Sequence, residues 1–320
     1  MKKAFFVNGG AGRVLCSIPA LEYYKNNTDP DVVIVAEAWG ELFISSSLRN
    51  NVYPLGSKDL FKLLKDKEII SPEPYRLNAY FNQRVNLIQA FDMLINGVDE
   101  TVESKPINLD LGKDDQIYGY NLVNQVKSQF KKDKSIVFQP FGSGVKIEGN
   151  FIWDTSGRSF ELKDVFRIVD ELSKDYAVIM MSQIKIPTDR PMGAAIPEHA
   201  SLLQWMGIMN ATDYFVGCDS MGQHYAHALG KPATVVIGST YPENISYPNN
   251  KDFTIIDNAK EKRTYTPYRI TGDPAAERDN EDNMILDEKN YERLIKSVKE
   301  KLGKGSKQSA FPLATAQQTK

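Results

Sequence analysis

The sequence has few of the residues that mark a small disulfide-bonded, zinc-binding or membrane-spanning protein. It holds two cysteines, Cys16 and Cys218, far apart and without a CxxC pair, which argues against a disulfide scaffold and a zinc ribbon. No apolar run approaches the roughly 18–20 residues that a membrane-spanning helix needs. The apolar stretch that ends at Val7 is also shorter than the core of a signal peptide. We therefore expect a reduced, cytoplasmic protein without integral membrane contact.

An excess of charge of either sign is also missing. The chain carries 39 Lys and Arg against 41 Asp and Glu, a formal net charge of −2. This balance excludes a generally cationic surface for nucleic acid, although it argues only mildly against a polymeric phosphate as a substrate. With 320 residues, of which 42% are hydrophobic, the chain is long enough to bury one large core or two ordinary ones.

Apolar patterning alternates between short β-branched runs and segments with helical spacing, which is typical of parallel sheets with crossover helices. Strands are predicted at residues 4–7, 32–36, 136–139, 177–181, 214–217 and 233–237, and helices at 14–25, 87–95, 162–172, 202–209, 221–229 and 291–302. These form two successive halves. We predict an α/β protein of two Rossmann-like domains, at residues 1–131 and 132–302, with mostly parallel sheets facing a central cleft. Residues 271–287 are expected as a polar loop and 303–320 as a disordered tail.

The most informative segment runs from the strand that ends at Gly217 into a helix that opens near Ser220. Ser220 and Gln223 have the spacing of a capping box, and Gly222 is expected to leave the first turn unobstructed. Such a helix start offers N–H groups and a positive dipole end to an anion, and His224 could donate to the same ligand. The alternative is that this junction needs a cap and binds nothing.

His224 and His227 are three residues apart and share a helix face. No third ligand follows at a recognisable spacing, so a metal site is not indicated and His227 is expected to be packed or on the surface.

A glycine-rich turn, Asn8 to Val14, joins the first strand to its helix. Glycines there allow a ligand to approach the backbone. A nicotinamide-dependent enzyme is one interpretation, because Glu37 ends the second strand where a ribose-binding acid would stand. However, the dinucleotide fingerprint requires a third glycine where this chain has Leu15.

In the second half, the turn Gly142-Ser143-Gly144 follows a strand, and Arg158-Ser159-Phe160 is expected to open the next helix. A flexible turn and an arginine could complete a diphosphate site with the helix that starts at Ser220. The alternative is a long surface loop with a solvated arginine.

Taken together, these segments resemble the ADP-heptose lipopolysaccharide heptosyltransferases of glycosyltransferase family 9, which have the GT-B fold. The resemblance rests on residues 9–15 and 18–21 in the first half, and on residues 138–143, 158–160, 216–224, 228–232 and 238–242 in the second.

This resemblance implies a nucleotide-diphosphate sugar as co-substrate, no other cofactor, no metal, and inverting transfer to an acceptor hydroxyl. It places the donor in the C-terminal domain, on Gly142, Ser143, Arg158, Asp219, Ser220, Met221, Gly222, Gln223, His224 and Thr240. The acceptor side would include Gly10, Ala11 and Gly12. The acceptor itself is open: a glycan, a lipopolysaccharide core, a small molecule or a modified nucleobase.

The chain departs from the family at Arg13, where relatives usually carry an aspartate that is their candidate base. An arginine cannot accept a proton at neutral pH. Another acid could act as the base, with Glu37 as the first hypothesis and Glu41 as a weaker one. Alternatively, Arg13 could bind an anionic acceptor, or the protein could keep sugar-nucleotide binding without transfer.

Overall fold

A computed structural model describes residues 2–149, 151–154, 156–188, 190–259, 263 and 281–305. The first sheet is built from β1 (Lys3–Val7), β2 (Val33–Ala36), β3 (Val52–Pro54) and β4 (Glu68–Ile70). Within the described part of the chain these strands lie in the order β3-β2-β1-β4, and every pair is parallel. Phe5 is central, paired with Ile34 on one side and Ile70 on the other. Residues of β2 are apolar and buried because helices or loops cover both faces of a parallel sheet.

The second sheet is larger. It consists of β5 (Ser135–Gln139), β8 (Ala177–Met180), β9 (Ala194–Ala195), β10 (Tyr214–Cys218), β11 (Ala233–Ile237) and β12 (Phe253–Asp257). In the described residues their order is β12-β11-β10-β5-β8-β9, again parallel throughout. A separate antiparallel hairpin joins β6 (Val145–Glu148) to β7 (Phe151–Asp154). The prediction of an α/β protein with mostly parallel sheets is confirmed.

Helices connect and cover these strands. They are α1 (Ala11–Asn27), α2 (Glu41–Ile44), α3 (Leu60–Leu64), α4 (Asn78–Phe81), α5 (Leu87–Asn96), α6 (Lys113–Phe130), α7 (Leu162–Leu172), α8 (Leu202–Ala211), α9 (Met221–Ala228), α10 (Pro242–Ile245) and α11 (Glu288–Leu302). Single 3₁₀ turns lie at Pro74–Arg76 and Glu281–Met284. Among the described residues, no helix has the length and apolar character to cross a membrane.

Helix α6 is the largest element that the sequence patterning did not predict. Most of its residues are polar, and only Gly119, Val123 and Val126 are buried. It forms against α8, where Gly119 meets Gly207 so closely that a Cβ atom at position 119 would lie 2.1 Å from the Gly207 carbonyl. Local periodicity cannot reveal a helix that is held mainly by one close crossing.

The predicted strands and helices agree with the structure within a few residues. The structure adds the β6–β7 hairpin, the strands β3, β4, β9 and β12, and the short helices α2, α3, α4 and α10. The proposed boundary at residue 131 falls directly after α6 and stays a prediction. The expected disorder of residues 303–320 lies mostly outside the described residues, as does most of the polar loop at 271–287.

Candidate functional site

A cleft of about 780 Å³ opens at the carboxyl ends of both sheets. Its lining comes from the segments that follow β1, β2 and β4 in the first sheet and β5, β8, β10 and β11 in the second. Ligands of open parallel sheets bind beyond these strand ends, where the loops diverge. The cleft expected between the two halves is therefore present, and most of the residues predicted for the site line it.

The glycine turn lets the two walls of the cleft approach each other. Gly10, Ala11 and Gly12 all line the cleft. A Cβ atom at Gly10 would lie 3.9 Å from Ser143 Oγ on the opposite wall, and one at Gly12 would lie 3.0 Å from His224 Cδ2. Gly12, expected on the acceptor side, thus packs directly against a side chain assigned to the donor.

Helix α9 is capped by Gln139, and the expected capping box of Ser220 and Gln223 is wrong. Ser220 is the N-cap residue but makes no side-chain capping bond. Instead, Gln139 Oε1 accepts from the Gly222 N–H at 3.1 Å, and Gln139 Nε2 donates to Ser220 Oγ at 2.9 Å. Gln223 Nε2 donates to Asp219 Oδ1 at 3.1 Å.

The reason for a glycine at position 222 also differs from the expectation. A Cβ atom there would lie 2.3 Å from Gln139 Oε1 and 2.6 Å from the Phe215 ring. Gly222 therefore makes room for neighbours on the protein side of the helix and does not line the cleft. Ser220 and Met221 do line it.

Asp219 is a buried carboxylate at the end of β10, and two of the predicted ligand residues bind it. Gln223 donates to one carboxylate oxygen, and Thr240 Oγ1 donates to the other at 2.8 Å. Asp219 reaches the cleft wall, whereas Gln223 and Thr240 stand behind it. These two residues hold Asp219 in place from outside the cleft lining.

Arg158 lies on the cleft wall within a network organised by Asp154. Asp154 accepts from Ser156 N at 2.6 Å and from Ser159 Oγ at 2.5 Å, and Ser159 Oγ in turn accepts from Gly142 N at 2.9 Å. Burial acts to raise the Asp154 pKa, but these serine bonds and the Arg158 charge lower it overall. The carboxylate is therefore ionised at neutral pH and fixes the loop that carries Arg158.

The guanidinium of Arg158 is directed along the cleft wall. It donates to Ser156 Oγ at 3.0 Å, to Ser143 Oγ at 3.3 Å and to the Asp219 carbonyl at 3.4 Å. Arg158 thus links Ser143 to Asp219, which directly precedes the start of α9. Helix α7 begins only at Leu162, so Arg158 belongs to the loop before it.

His224 is buried on α9 and binds Tyr247. Its Nδ1 lies 2.8 Å from the Tyr247 hydroxyl oxygen. Burial lowers the His224 pKa to about 4, so the imidazole is neutral at pH 7. His227 stacks on the same Tyr247 ring at 3.6 Å and contacts Asn250 through Nδ1. The two histidines have different partners, and within the described residues no three His, Cys, Asp or Glu side chains form a group suited to a metal.

Arg13 forms an ion pair with Glu73 on the first-sheet side of the cleft. Its Nη1 lies 3.1 Å from Glu73 Oε1, its Nη2 lies 3.2 Å from Oε2, and Nη2 also donates to the Pro72 carbonyl at 2.9 Å. Both residues line the cleft. The Arg13 side chain is 10% exposed and that of Glu73 is 33% exposed, so the carboxylate is the more accessible partner.

Glu37, the first hypothesis for the base, is exposed after β2 and does not line the cleft. It therefore lacks the position that a base for this site requires. Glu41, the weaker hypothesis, begins α2 and does line the cleft.

Sequence reasoning missed four side chains that build the site: Gln139, Glu73, Asp154 and Tyr247. Only Asp154 carries a local signal, because an aspartate two residues before a serine favours an Asx turn. The other three act on residues far away in the chain.

The cleft also has an apolar end. Met181, Leu202 and Trp205 line it there. Trp205 is nearly buried, yet it also reaches the cleft wall.

No protein-family model matches this sequence, and no curated protein matches it significantly. Solved structures do resemble the fold. The structure of E. coli ADP-heptose lps heptosyltransferase II aligns with 94% of this chain and 98% of its own, at 14% identity and a TM-score of 0.59. A glycosyl transferase family 9 protein from Veillonella parvula DSM 2008 aligns over 93% and 96%, at 10% identity and a TM-score of 0.61.

A third neighbour carries a nucleotide sugar. The dodecameric iron-containing heptosyltransferase TibC, in complex with ADP-D-beta-D-heptose, aligns over 93% of this chain and 73% of its own, at 14% identity and a TM-score of 0.53. These likenesses define the fold class: the chain has the GT-B fold, with two Rossmann-like halves facing a cleft. More particularly, it is the form of that fold seen in heptosyltransferases and glycosyltransferase family 9, which confirms the resemblance in fold.

Proposed function

We propose that this protein is a glycosyltransferase that moves a sugar from a nucleotide-diphosphate donor to an acceptor hydroxyl. The observation that carries the proposal is the pairing of two walls in one cleft. One wall has Arg158 and the start of α9, which suit an anion, and the other has the accessible carboxylate of Glu73. Anion binding next to a carboxylate on a facing wall is the arrangement that transfer from a diphosphate requires.

On the donor side, the diphosphate is proposed to bind Arg158, Ser143, Ser220, Met221 and His224. Arg158 supplies a permanent positive charge, and the start of α9 adds the positive end of the helix dipole. Asp219 and the residues behind it act as support, since Gln223 and Thr240 are bound to its carboxylate.

The apolar end of the cleft is proposed to hold the nucleobase. Met181, Leu202 and Trp205 offer the kind of surface against which a flat ring packs. The heptosyltransferase TibC has been seen with ADP-D-beta-D-heptose, so ADP-sugars are the first donors to test.

The proposed reaction is inverting and independent of a metal. The bond between the sugar carbon and the diphosphate oxygen breaks, and its electron pair leaves with the diphosphate. The acceptor oxygen forms the new bond on the opposite face of the sugar and gives its proton to a base. Charge that develops on the leaving group is stabilised by Arg158 and by the α9 N-terminus, which is the role that a divalent cation would otherwise fill.

We propose Glu73 as that base. It belongs to the wall opposite Arg158, it is accessible, and Arg13 and the Tyr75 N–H hold its carboxylate in one orientation. Arg13 is itself occupied by Glu73 and by Pro72, which disfavours a direct role in binding an anionic acceptor. The acceptor class is still open, and cytoplasmic location stays a prediction that fractionation can check.

The proposal is tested by thermal stabilisation with ADP-, UDP-, GDP- and CMP-sugars and with NAD(P), each with and without EDTA. Acceptor panels are then added and release of the free nucleoside diphosphate is measured. We expect stabilisation by a sugar nucleotide, turnover with an acceptor, and no loss of turnover in EDTA. Binding without turnover on a broad panel would favour the inactive sugar-nucleotide-binding alternative, and stabilisation by NAD(P) alone would overturn the proposal.

A further inference from the structure

Tyr247 lies in a buried cluster of side chains that includes His224. It follows α10, and its hydroxyl contacts His224 Nδ1 on α9 at 2.8 Å. The buried Cys16 thiol on α1 belongs to the same core cluster and acts on the pKa of this hydroxyl group. Rings of His227 and Phe253 cover Tyr247, the first stacked at 3.6 Å and the second edge-on at 5.4 Å.

Burial determines the protonation states of Tyr247, Cys16 and His224. Burial raises the pKa of the Tyr247 phenol and of the Cys16 thiol well above their usual values, so both keep their protons at pH 7. Burial likewise lowers the His224 pKa to about 4. The imidazole therefore carries one proton, on either Nδ1 or Nε2.

The position of that proton follows from the partners available. If Nδ1 donated to Tyr247, the phenolic hydrogen would need another acceptor, and Cys16 sulfur is a weak one. Among the described residues, no oxygen or nitrogen other than His224 Nδ1 is paired with the Tyr247 hydroxyl. If the phenol instead donates to Nδ1, its hydrogen has a strong nitrogen acceptor. The second arrangement leaves the imidazole proton on Nε2.

Nε2 is at the cleft. His224 lines the cleft, and its Nε2 would lie 3.4 Å from a Cβ atom at Gly12, on the edge of the glycine turn. Because residue 12 is a glycine, no Cβ atom presses on this ring edge.

We propose that Tyr247 is a positioning residue that selects the Nε2–H tautomer of His224, so that the neutral imidazole presents an N–H to an anionic oxygen in the cleft. The identification of this oxygen as part of a donor diphosphate rests on the proposed function. The tautomer itself does not, because it is set by buried contacts that exist without a ligand.

The ¹⁵N spectrum of the imidazoles tests this directly. The sequence has three histidines, so the variants His199→Gln and His224→Gln assign the signals by elimination. In the wild-type protein at pH 7 without ligand, we expect a protonated Nε2 and an unprotonated Nδ1 at His224. A protonated Nδ1, or a doubly protonated ring, would overturn the proposal without any variant having to fold.

Affinity for ADP and for inorganic pyrophosphate, measured by calorimetry, supplies the second readout. Tyr247→Phe removes only the hydroxyl, so we expect a mixture of tautomers and an affinity about threefold to tenfold lower, the loss expected for one hydrogen bond. His224→Gln, whose amide can replace the Nε2 donor, should retain more affinity than His224→Leu. Tyr225→Phe is the matched control. Tyr225 is buried like Tyr247, but it lies on α9 and has no bond to His224.

Failure of this inference and failure of the proposed function are distinguishable. If the wild-type protein binds neither ADP nor pyrophosphate, the proposed function fails while the tautomer result still stands. If it binds them and Tyr247→Phe leaves the affinity unchanged, the positioning role of Tyr247 is wrong.

Discussion

The guanidinium of Arg13 and the carboxylate of Glu73 form a bidentate ion pair on the wall of the central cleft. The two residues are 60 positions apart in the sequence. The resemblance to glycosyltransferase family 9 led us to expect an acid at position 13, and the structure brings an acid to Arg13 from a different segment. The pair therefore restores a carboxylate to this wall without restoring it at the same position in the sequence.

Glu73→Gln is predicted to reduce sugar transfer while leaving donor binding unchanged. A positioned general base contributes roughly 10²-fold to 10⁴-fold to a rate, and the amide cannot accept the proton. The rate of nucleoside diphosphate release at saturating donor, together with donor affinity by calorimetry, measures both effects. Glu37→Gln is the control, because Glu37 is exposed outside the cleft lining. Undiminished transfer in Glu73→Gln would show that another group is the base.

Arg158→Gln is predicted to weaken binding of ADP. A hydrogen bond to a charged group is worth about 1.5–3 kcal/mol, which corresponds to roughly a tenfold to hundredfold loss of affinity. Calorimetric titration with ADP gives this value. Arg84→Gln serves as the matched control, since Arg84 pairs with Glu100 and does not line the cleft. Equal losses in both variants would mean that the effect is not local to the proposed diphosphate site.

Gln139→Leu is predicted to destabilise the protein more than Ser220→Ala. Gln139 Oε1 caps the Gly222 N–H, and loss of a helix cap costs about 0.5–2 kcal/mol. Ser220 makes no capping bond of its own, so the loss of its hydroxyl removes only an acceptor for Gln139. Urea unfolding of both variants measures the free energy of unfolding. The reverse order of stability would favour the capping box instead.

Stability is predicted to fall as the pH decreases from about 6.5 to about 4, because of His224. Its pKa is lowered from 6.5 to about 4 in the folded chain, so the unfolded chain binds more protons in this interval. His224 does not lower the free energy of unfolding above pH 6.5. At pH 4 its protonation in the unfolded chain lowers this free energy by an amount on the order of 3 kcal/mol.

Urea unfolding over this pH range, in wild-type protein and in His224→Gln, isolates the effect, because carboxylates contribute to the pH dependence of both. The variant should show a shallower dependence. The exposed His199→Gln should follow the wild type. If the free energy of unfolding of His224→Gln depends on pH as steeply as that of the wild type, His224 is not the cause of the pH dependence.

The local elements could be predicted because their causes are local. Buried parallel strands such as β5 and β10 appear as short apolar runs, and α7 appears as apolar residues at helical spacing. The polar helix α6 lacks such a pattern, because few of its residues are buried and it packs against α8, where Gly119 meets Gly207. This helix depends on packing against α8, and the sequence pattern of α6 alone does not show that contact.

The candidate site also has a part that the sequence predicted and a part that it did not. The segments that form it, at the glycine turn, at Gly142–Gly144 and at Ser220, were predictable because glycine turns and βα junctions have characteristic residues. The partners within it were not predictable. Gln139 reaches Gly222 across 83 residues, and Tyr247 reaches His224 across 23, so neither contact leaves a spacing that could be recognised.

The sequence by itself determined the fold class, the alternation of strands and helices, and the positions where an anion is expected to bind, because hydrophobic period and turn chemistry act over a few residues. Tertiary structure alone decided which carboxylates line the cleft, which side chain caps α9, and which groups surround His224. Those choices depend on distances between segments that only the packed chain brings together.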